Sequence, residues 1–351
     1  MDVNEVEGQL AELWRETSSE DEAVVRACSL NLVVACDDER DVERATRLVA
    51  GVSETAPGRA LVIARKGAAA EADELDVFVS AHCHRGAGGV QVCSEQVTLE
   101  VRGEGRELVP GTILRLLVED MPVYTWWRRP SLDRDGLLRP LRDLSDRLIV
   151  NSAGFDAPVE QLGALRKVAS ETSWTGHPAD LTWARLEPWR EALASFFDGP
   201  VMRSRLEQVT RVTVTASGPS SKDGRTAAGA YLAGWLSSRL GWSRRGGANG
   251  WSRADGGPLT LEFRQDHGLP AGEVAEARLE TANGDSTTAF VARREGSSEL
   301  VRLTVESKDA CPLPHRIKLP SRDEAALLCG VLQQAERDEI FEAALSDAAL
   351  M

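Results

Sequence analysis

Ser29-Leu30-Asn31-Leu32-Val33-Val34-Ala35-Cys36-Asp37-Asp38-Glu39 is the stretch on which the fold turns. Its first eight residues are apolar enough for a strand covered on both faces. Val42, Ala45, Leu48 and Val49 then recur at helical spacing through 39–56, Pro57-Gly58 ends that pattern, and Ala60-Leu61-Val62-Ile63-Ala64 reads as a second buried strand. Strand, helix, strand over so short a span is a βαβ unit, which implies a parallel pair within a sheet covered by helices. A dinucleotide at the first strand-to-helix turn needs glycines, so that backbone N–H groups can approach the pyrophosphate at the helix N-terminus. Cys36-Asp37-Asp38-Glu39 offers three carboxylates there instead. They suit a helix start and repel a phosphate. The expectation is a Rossmann-like α/β domain lacking a glycine-rich cofactor loop, with no cofactor.

Outward from this unit, Val6, Leu10, Leu13 and Trp14 form one face of a short N-terminal helix. Segments 76–84 and 90–101 are β-rich and flank Arg85-Gly86-Ala87-Gly88-Gly89, a hairpin signal. A helix beginning near Pro110 carries Ile113, Leu114, Leu117 and Val118; Val123-Tyr124-Thr125-Trp126-Trp127 and Leu148-Ile149-Val150 read as strands. The second half opens with helices at 159–169 and from Trp183 to Phe197, with Pro188 starting or kinking the latter. A half-buried strand at 212–216 and a helix at 228–240 follow. Strands at 259–263, 274–281, 287–293 and 299–306 come next, Asn283-Gly284 marking a hairpin, before a last helix from about Arg322 to Leu345. The reading is an N-terminal helix (1–22), an α/β domain (23–155) and an α+β domain with a mostly antiparallel sheet (156–351).

The 351 residues carry 41 basic and 55 acidic side chains, a net charge of −14, with 42% hydrophobic content. That balance disfavours nucleic acid and anionic lipid as partners. The acidic N-terminus is unlike a signal peptide, and no apolar run is long enough to span a membrane, so a cytoplasmic location with reduced thiols is expected. His82-Cys83-His84 with Cys93 is a metal-like cluster short of a fourth ligand; two solvent-facing histidines beside a buried cysteine is the expectation, with no metal. G-x-S-x-G, H-E-x-x-H and Walker motifs are absent, and His177 in Gly176-His177-Pro178 reads as a turn residue without a local partner. No residue set points to catalysis.

Two features stand out. From Gly224 to Ala254 the sequence has Arg225, Arg239, Arg244, Arg245 and Arg253, no acid, and Trp235, Trp242 and Trp251 interleaved. Such a segment could take an acidic partner or, as an alternative function, the phosphate of a sugar-phosphate substrate. The chain also has nine tryptophans against two tyrosines. In a strand, Trp126 and Trp127 point to opposite faces, so one of them leaves its own sheet core unless a helix or a partner covers it.

Met121-Pro122-Val123-Tyr124-Thr125-Trp126-Trp127, Arg147-Leu148-Ile149-Val150-Asn151-Ser152, Asp180-Leu181-Thr182-Trp183-Ala184-Arg185-Leu186 and Tyr231-Leu232-Ala233-Gly234-Trp235-Leu236 resemble the OpcA family, the glucose-6-phosphate dehydrogenase assembly proteins, in order and spacing. Asn151 departs from the aspartate expected there. The resemblance implies a bacterial, non-catalytic partner of glucose-6-phosphate dehydrogenase in the oxidative pentose phosphate pathway. Such a partner acts as an assembly factor or allosteric activator, in cyanobacteria linked to redox state. Trp126, Trp127, Trp183, Trp242, Arg244 and Arg245 are the candidate contact residues. A redox switch would need a tertiary cysteine pair, such as Cys83 with Cys93 or Cys311 with Cys329.

Overall fold

The computed structural model describes residues 3–17, 24–65, 74–85, 91–102, 107–132, 136–245, 250–284, 286–307, 313–334 and 336–351. The loop at 86–90, the glycines at 246 and 247, and Cys311 lie outside them.

The chain opens with α1 (Val3–Thr17), β1 (Val24–Arg26), β2 (Asn31–Ala35), α2 (Glu39–Ser53) and β3 (Arg59–Arg65). The expected βαβ unit is therefore present, and all residues of β2 are buried. Asp38 caps α2 by accepting from the Asp41 N–H at 2.8 Å. β4 (Glu74–Arg85) and β5 (Gln91–Arg102) then pair antiparallel, α3 (Val109–Leu116) carries Pro110 in its first turn, and β6 (Val123–Trp127) follows. α4 (Leu138–Asp143), not expected from its polar sequence, precedes β7 (Arg147–Val150).

Next come α5 (Pro158–Ser170) and β8 (His177–Asp180), then α6 (Leu181–Arg185), α7 (Glu187–Ser195) and α8 (Pro200–Arg203). β9 (Val209–Ser217) and α9 (Ala227–Leu240) lead to β10 (Ser243–Arg244), β11 (Trp251–Ser252), β12 (Pro258–Asp266), β13 (Val274–Asn283), β14 (Ser286–Arg294), β15 (Leu300–Ser307) and β16 (His315–Lys318). α10 (Glu324–Gln333) and α11 (Glu339–Ala348) close the chain.

Two compact units result: Met1–Val150 with Glu171–Leu181 and Asp323–Glu336, and Asn151–Ser170 with Thr182–Arg322 and Arg337–Met351. The path of the chain differs from the sequence reading in three details. α1 is not separate, since Val6 and Leu10 are buried in the first unit and the Trp14 indole donates to Glu95 at 2.5 Å. His177-Pro178 is strand rather than turn: β8 pairs parallel with β7 and tolerates Pro178 at the sheet edge. The single helix expected from Arg322 to Leu345 is two, because Asp323 and Asp338 each cap a helix start; α10 belongs to the first unit and α11 to the second.

In the first unit, six parallel strands run in the order β5-β3-β2-β6-β7-β8, with β1 and β4 both joined to β5. This is the doubly wound order, its direction reversing between β2 and β6. The second unit's eight-stranded sheet runs β10-β11-β12-β9-β13-β14-β15-β16; β9 and β12 pair parallel, and the other neighbours are antiparallel. The mixed class, parallel first and mostly antiparallel second, matches the sequence reading. α9 is apolar almost all round, starts at the Thr226 cap and ends at Gly241, whose φ of 64° closes the helix as a left-handed C-cap. Gly234 lets α11 approach, since a Cβ there would sit 2.4 Å from the Ala344 carbonyl.

Candidate functional site

In a doubly wound sheet, ligands bind beyond the carboxyl ends of the strands where the order reverses. Here that place is built by the residues after β2 (Cys36 to Asp38) and after β6 (Arg128, Arg129). The Arg128 N–H donates to the Ala35 carbonyl at 3.0 Å, fixing the two strand ends together. The Arg128 side chain is 5% exposed. Its guanidinium donates to Asp41 at 2.6 and 3.0 Å and to Glu324 at 3.0 Å, and Glu324 also receives Arg44 at 2.7 Å. Burial opposes the Arg128 charge, but these carboxylates overcome it and hold its pKa above the ordinary value.

Trp126-Trp127-Arg128-Arg129 owes its packing to the two-residue period of a strand. Arg128 lies over the Trp126 ring at 4.2 Å, and Arg129 lies over the Trp127 ring at 4.8 Å. Each tryptophan is thus covered by the arginine two positions on, a cation–π pair on either face of the sheet. Both tryptophans are buried, at 0% and 1% exposure. Neither leaves the core: the chain supplies cover on both faces. The Trp127 indole donates to the Ser131 carbonyl at 2.9 Å, whereas the buried Trp126 N–H has no hydrogen-bond partner among the described residues.

Arg129 donates to the Cys36 carbonyl at 3.1 Å. Burial, then the nearby Arg65, pulls its pKa below the ordinary value. Burial and Asp41 push the Cys36 thiol up, keeping it protonated and a poor nucleophile. The N-terminus of α2 is met by Asp38 and the crevice is crossed by an arginine held between two carboxylates. This arrangement favours ion-paired closure over an anion cradle.

The other expected residues lie in the second unit. Trp183 is buried, its indole donating to Asp338 at 2.9 Å, with the Arg190 guanidinium stacked 3.5 Å from the ring centroid and donating to the Trp183 carbonyl at 2.7 Å. Burial lowers the Arg190 pKa to about 10, partly offset by Asp338, Glu187 and Glu191. Tyr231 and Phe341 complete the aromatic cluster at 6.0 and 5.7 Å from Trp183. Trp242 is buried too. Arg244 and Arg245 are exposed. Arg244 lines a concavity of about 420 Å³ with Asp223, Arg225, Trp251, Glu262 and Phe263.

The acid-free window from Gly224 to Ala254 is neutralised from just outside it: Asp223 pairs with Arg225 at 2.5 Å, and Asp255 with Arg253 at 2.7 Å. That removes two cations from the expected phosphate site. The histidine–cysteine cluster also differs from expectation. Cys83 faces Cys93 across the β4–β5 ladder and the two are disulfide-bonded, so the thiols are not all reduced. Among the described residues no His/Cys/Asp/Glu group could hold a metal. Sequence reasoning missed Arg128, Arg190, Asp41, Glu324 and Asp338; only the Trp-Trp-Arg-Arg spacing could have signalled the first.

Residues 49–167 match the family model for the N-terminal domain of the glucose-6-phosphate dehydrogenase subunit, and residues 177–345 match the model for its C-terminal domain. The OxPP cycle protein OpcA of Nostoc punctiforme is 31% identical over 49% of this chain and 36% of its own length. The chain belongs to the OpcA family. The protein of the same name from Synechococcus elongatus is 25% identical over 73% of this chain and 59% of its own. The chain therefore spans from about a third to three-fifths of the length of these curated relatives. Among solved structures, an oxidoreductase from Sinorhizobium meliloti is similar at a TM-score of 0.45 and 11% identity, covering 92% of this chain and 89% of that one. A glucose-6-phosphate dehydrogenase bound to glucose-6-phosphate is similar at a TM-score of 0.40 and 10% identity, covering 93% and 87%. At those values the likeness assigns no chemistry.

Proposed function

We propose that this OpcA-family chain is a non-catalytic accessory protein that binds glucose-6-phosphate dehydrogenase and favours its active oligomer or conformation. The observation that carries the reading is the match of the two dehydrogenase-associated domain models to both halves of the chain, at 49–167 and 177–345. The crevice supports it: Arg128, Asp41 and Glu324 close on one another where a nucleotide-using relative of the fold would hold its phosphates. A protein that binds only the active state of an enzyme stabilises that state by its differential affinity, typically about 1–3 kcal/mol. With the tryptophans buried, the exposed Arg244 and Arg245 are the contact residues we retain, and an acidic patch is what they would meet.

The reading fits a cytoplasmic protein, and among the described residues no helix is long and apolar enough to cross a membrane. The test mixes the chain with the dehydrogenase of the same organism. Native mass and substrate affinity are measured with and without the chain. A larger complex and a several-fold lower KM or higher kcat are expected; identical values in both assays reject the proposal.

A further inference from the structure

The outermost strand of the parallel sheet, β4, is built unlike the other end strands of the two sheets. A strand edge exposes unpaired N–H and C=O groups, and proteins blunt such edges with short strands, proline, lysine or bulges. The other end strands of the two sheets follow that rule. β1 has three residues, β10 has two, β8 has four including Pro178, and β16 has four including Arg316 and Lys318. β4 has twelve residues with no proline, glycine or lysine, pairs with β5 in one unbroken register, and among the described residues hydrogen-bonds no other strand. From Leu75 to Arg85 none of its residues is fully buried, and Phe78 is 53% exposed.

Its free edge can be read residue by residue. Cys83 and Cys93 face each other with Cα atoms 4.1 Å apart, the spacing of a non-hydrogen-bonded pair, so the backbone groups of Cys83 point away from β5. By the alternation of the ladder, those of Leu75, Val77, Val79 and Ala81 do the same. The strand also differs in charge between its ends: Asp76 lies near its start, and His82, His84 and Arg85 lie near its end. An antiparallel copy of β4 is therefore its own complement.

We propose that a second copy of this chain docks on β4, the two strands pairing antiparallel about a two-fold axis at Ser80. In that register Val79 and Ala81 exchange backbone hydrogen bonds with Ala81 and Val79 of the second copy. Asp76 faces His84 of the second copy, and Phe78 faces His82 of the second copy. The interface is isologous, as a two-fold requires. The Cys83–Cys93 bond ties β4 to the sheet and so presents a preformed template. The inference is independent of the dehydrogenase reading.

Sedimentation velocity on the full chain tests it, with a mass twice 38.1 kDa expected. Val79→Pro removes an outward N–H without touching the β5 ladder, and raises the dimer dissociation constant at least about tenfold, 1.4 kcal/mol, at unchanged circular dichroism. Asp76→Arg weakens the dimer, and adding His84→Asp restores it. Ser80→Cys, meeting itself across the axis, gives a disulfide-linked dimer on mild oxidation where the parent chain gives none. A chain that stays monomeric at every concentration overturns the proposal, as does a dimer in which Ser80→Cys fails to cross-link.

Discussion

The same two residue types, tryptophan and arginine, build two regions of opposite character. After β6 they alternate at the strand period, so Arg128 and Arg129 fold back over Trp126 and Trp127, and carboxylates from the starts of α2 and α10 seal Arg128 in. Around β10 and β11 the tryptophans Trp242 and Trp251 turn inward, while Arg244 and Arg245 stay in solvent. The difference is the supply of partners. A guanidinium taken out of water needs its carboxylates and its ring in place, and in the second region the nearby acids Asp223 and Asp255 are engaged by Arg225 and Arg253. Local composition alone therefore does not distinguish a buried clasp from an arginine pair left in solvent.

The contrast can be broken most forcefully at Arg128. Arg128→Ala leaves the half-buried Asp41 without its cation and Glu324 with Arg44 alone, and unfolding in urea is expected to show a loss of about 3–5 kcal/mol. Replacing all three with apolar residues (Arg128→Met, Asp41→Leu, Glu324→Leu) recovers most of that loss, which separates the cost of a stranded charge from any worth of the pair itself. Next in size is Trp183→Phe. It removes the hydrogen bond to Asp338 and weakens the Arg190 stack, and calorimetry should register about 1–3 kcal/mol.

Cys36 gives a smaller, pH-dependent effect. Its folded pKa is raised by burial, so the stability it contributes is complete below the unfolded thiol pKa, about 8.5, and declines as pH rises above it. Denaturant midpoints across that range should fall more steeply for the parent chain than for Cys36→Ala. Smallest of all for stability is the exposed pair: Arg244→Ala with Arg245→Ala changes it by less than about 0.5 kcal/mol. The same double variant is expected to weaken dehydrogenase binding several-fold. If binding is unchanged, the contact lies elsewhere on the molecule.

Much of the fold was legible in the sequence because the deciding elements are strongly periodic. β2, α2 and β3 declare themselves by apolar runs and spacing, and Asn283-Gly284 turns between β13 and β14 with Gly284 at a φ of 59°. What escaped was short or rested on charge. β8 is four residues with alternate ones buried, too brief for a period to show. The break between α10 and α11 is made by the Asp338 cap, which looks like one more acid in an acidic chain. Asp41 and Glu324 are 283 positions apart and meet only because α10 packs on α2.

The sequence by itself determined the class of each half, the absence of glycines at the first strand-to-helix turn, and the kinship carried by its tryptophan-rich motifs. Those properties are local, set by the side-chain period and backbone freedom of neighbouring residues. Tertiary structure alone decided which tryptophans are covered, which arginines are neutralised, that Cys83 meets Cys93, and that β4, among the described residues, pairs with a strand on one side only. Each of these depends on which distant segment arrives alongside, and burial and ion pairing are properties of that meeting rather than of either segment.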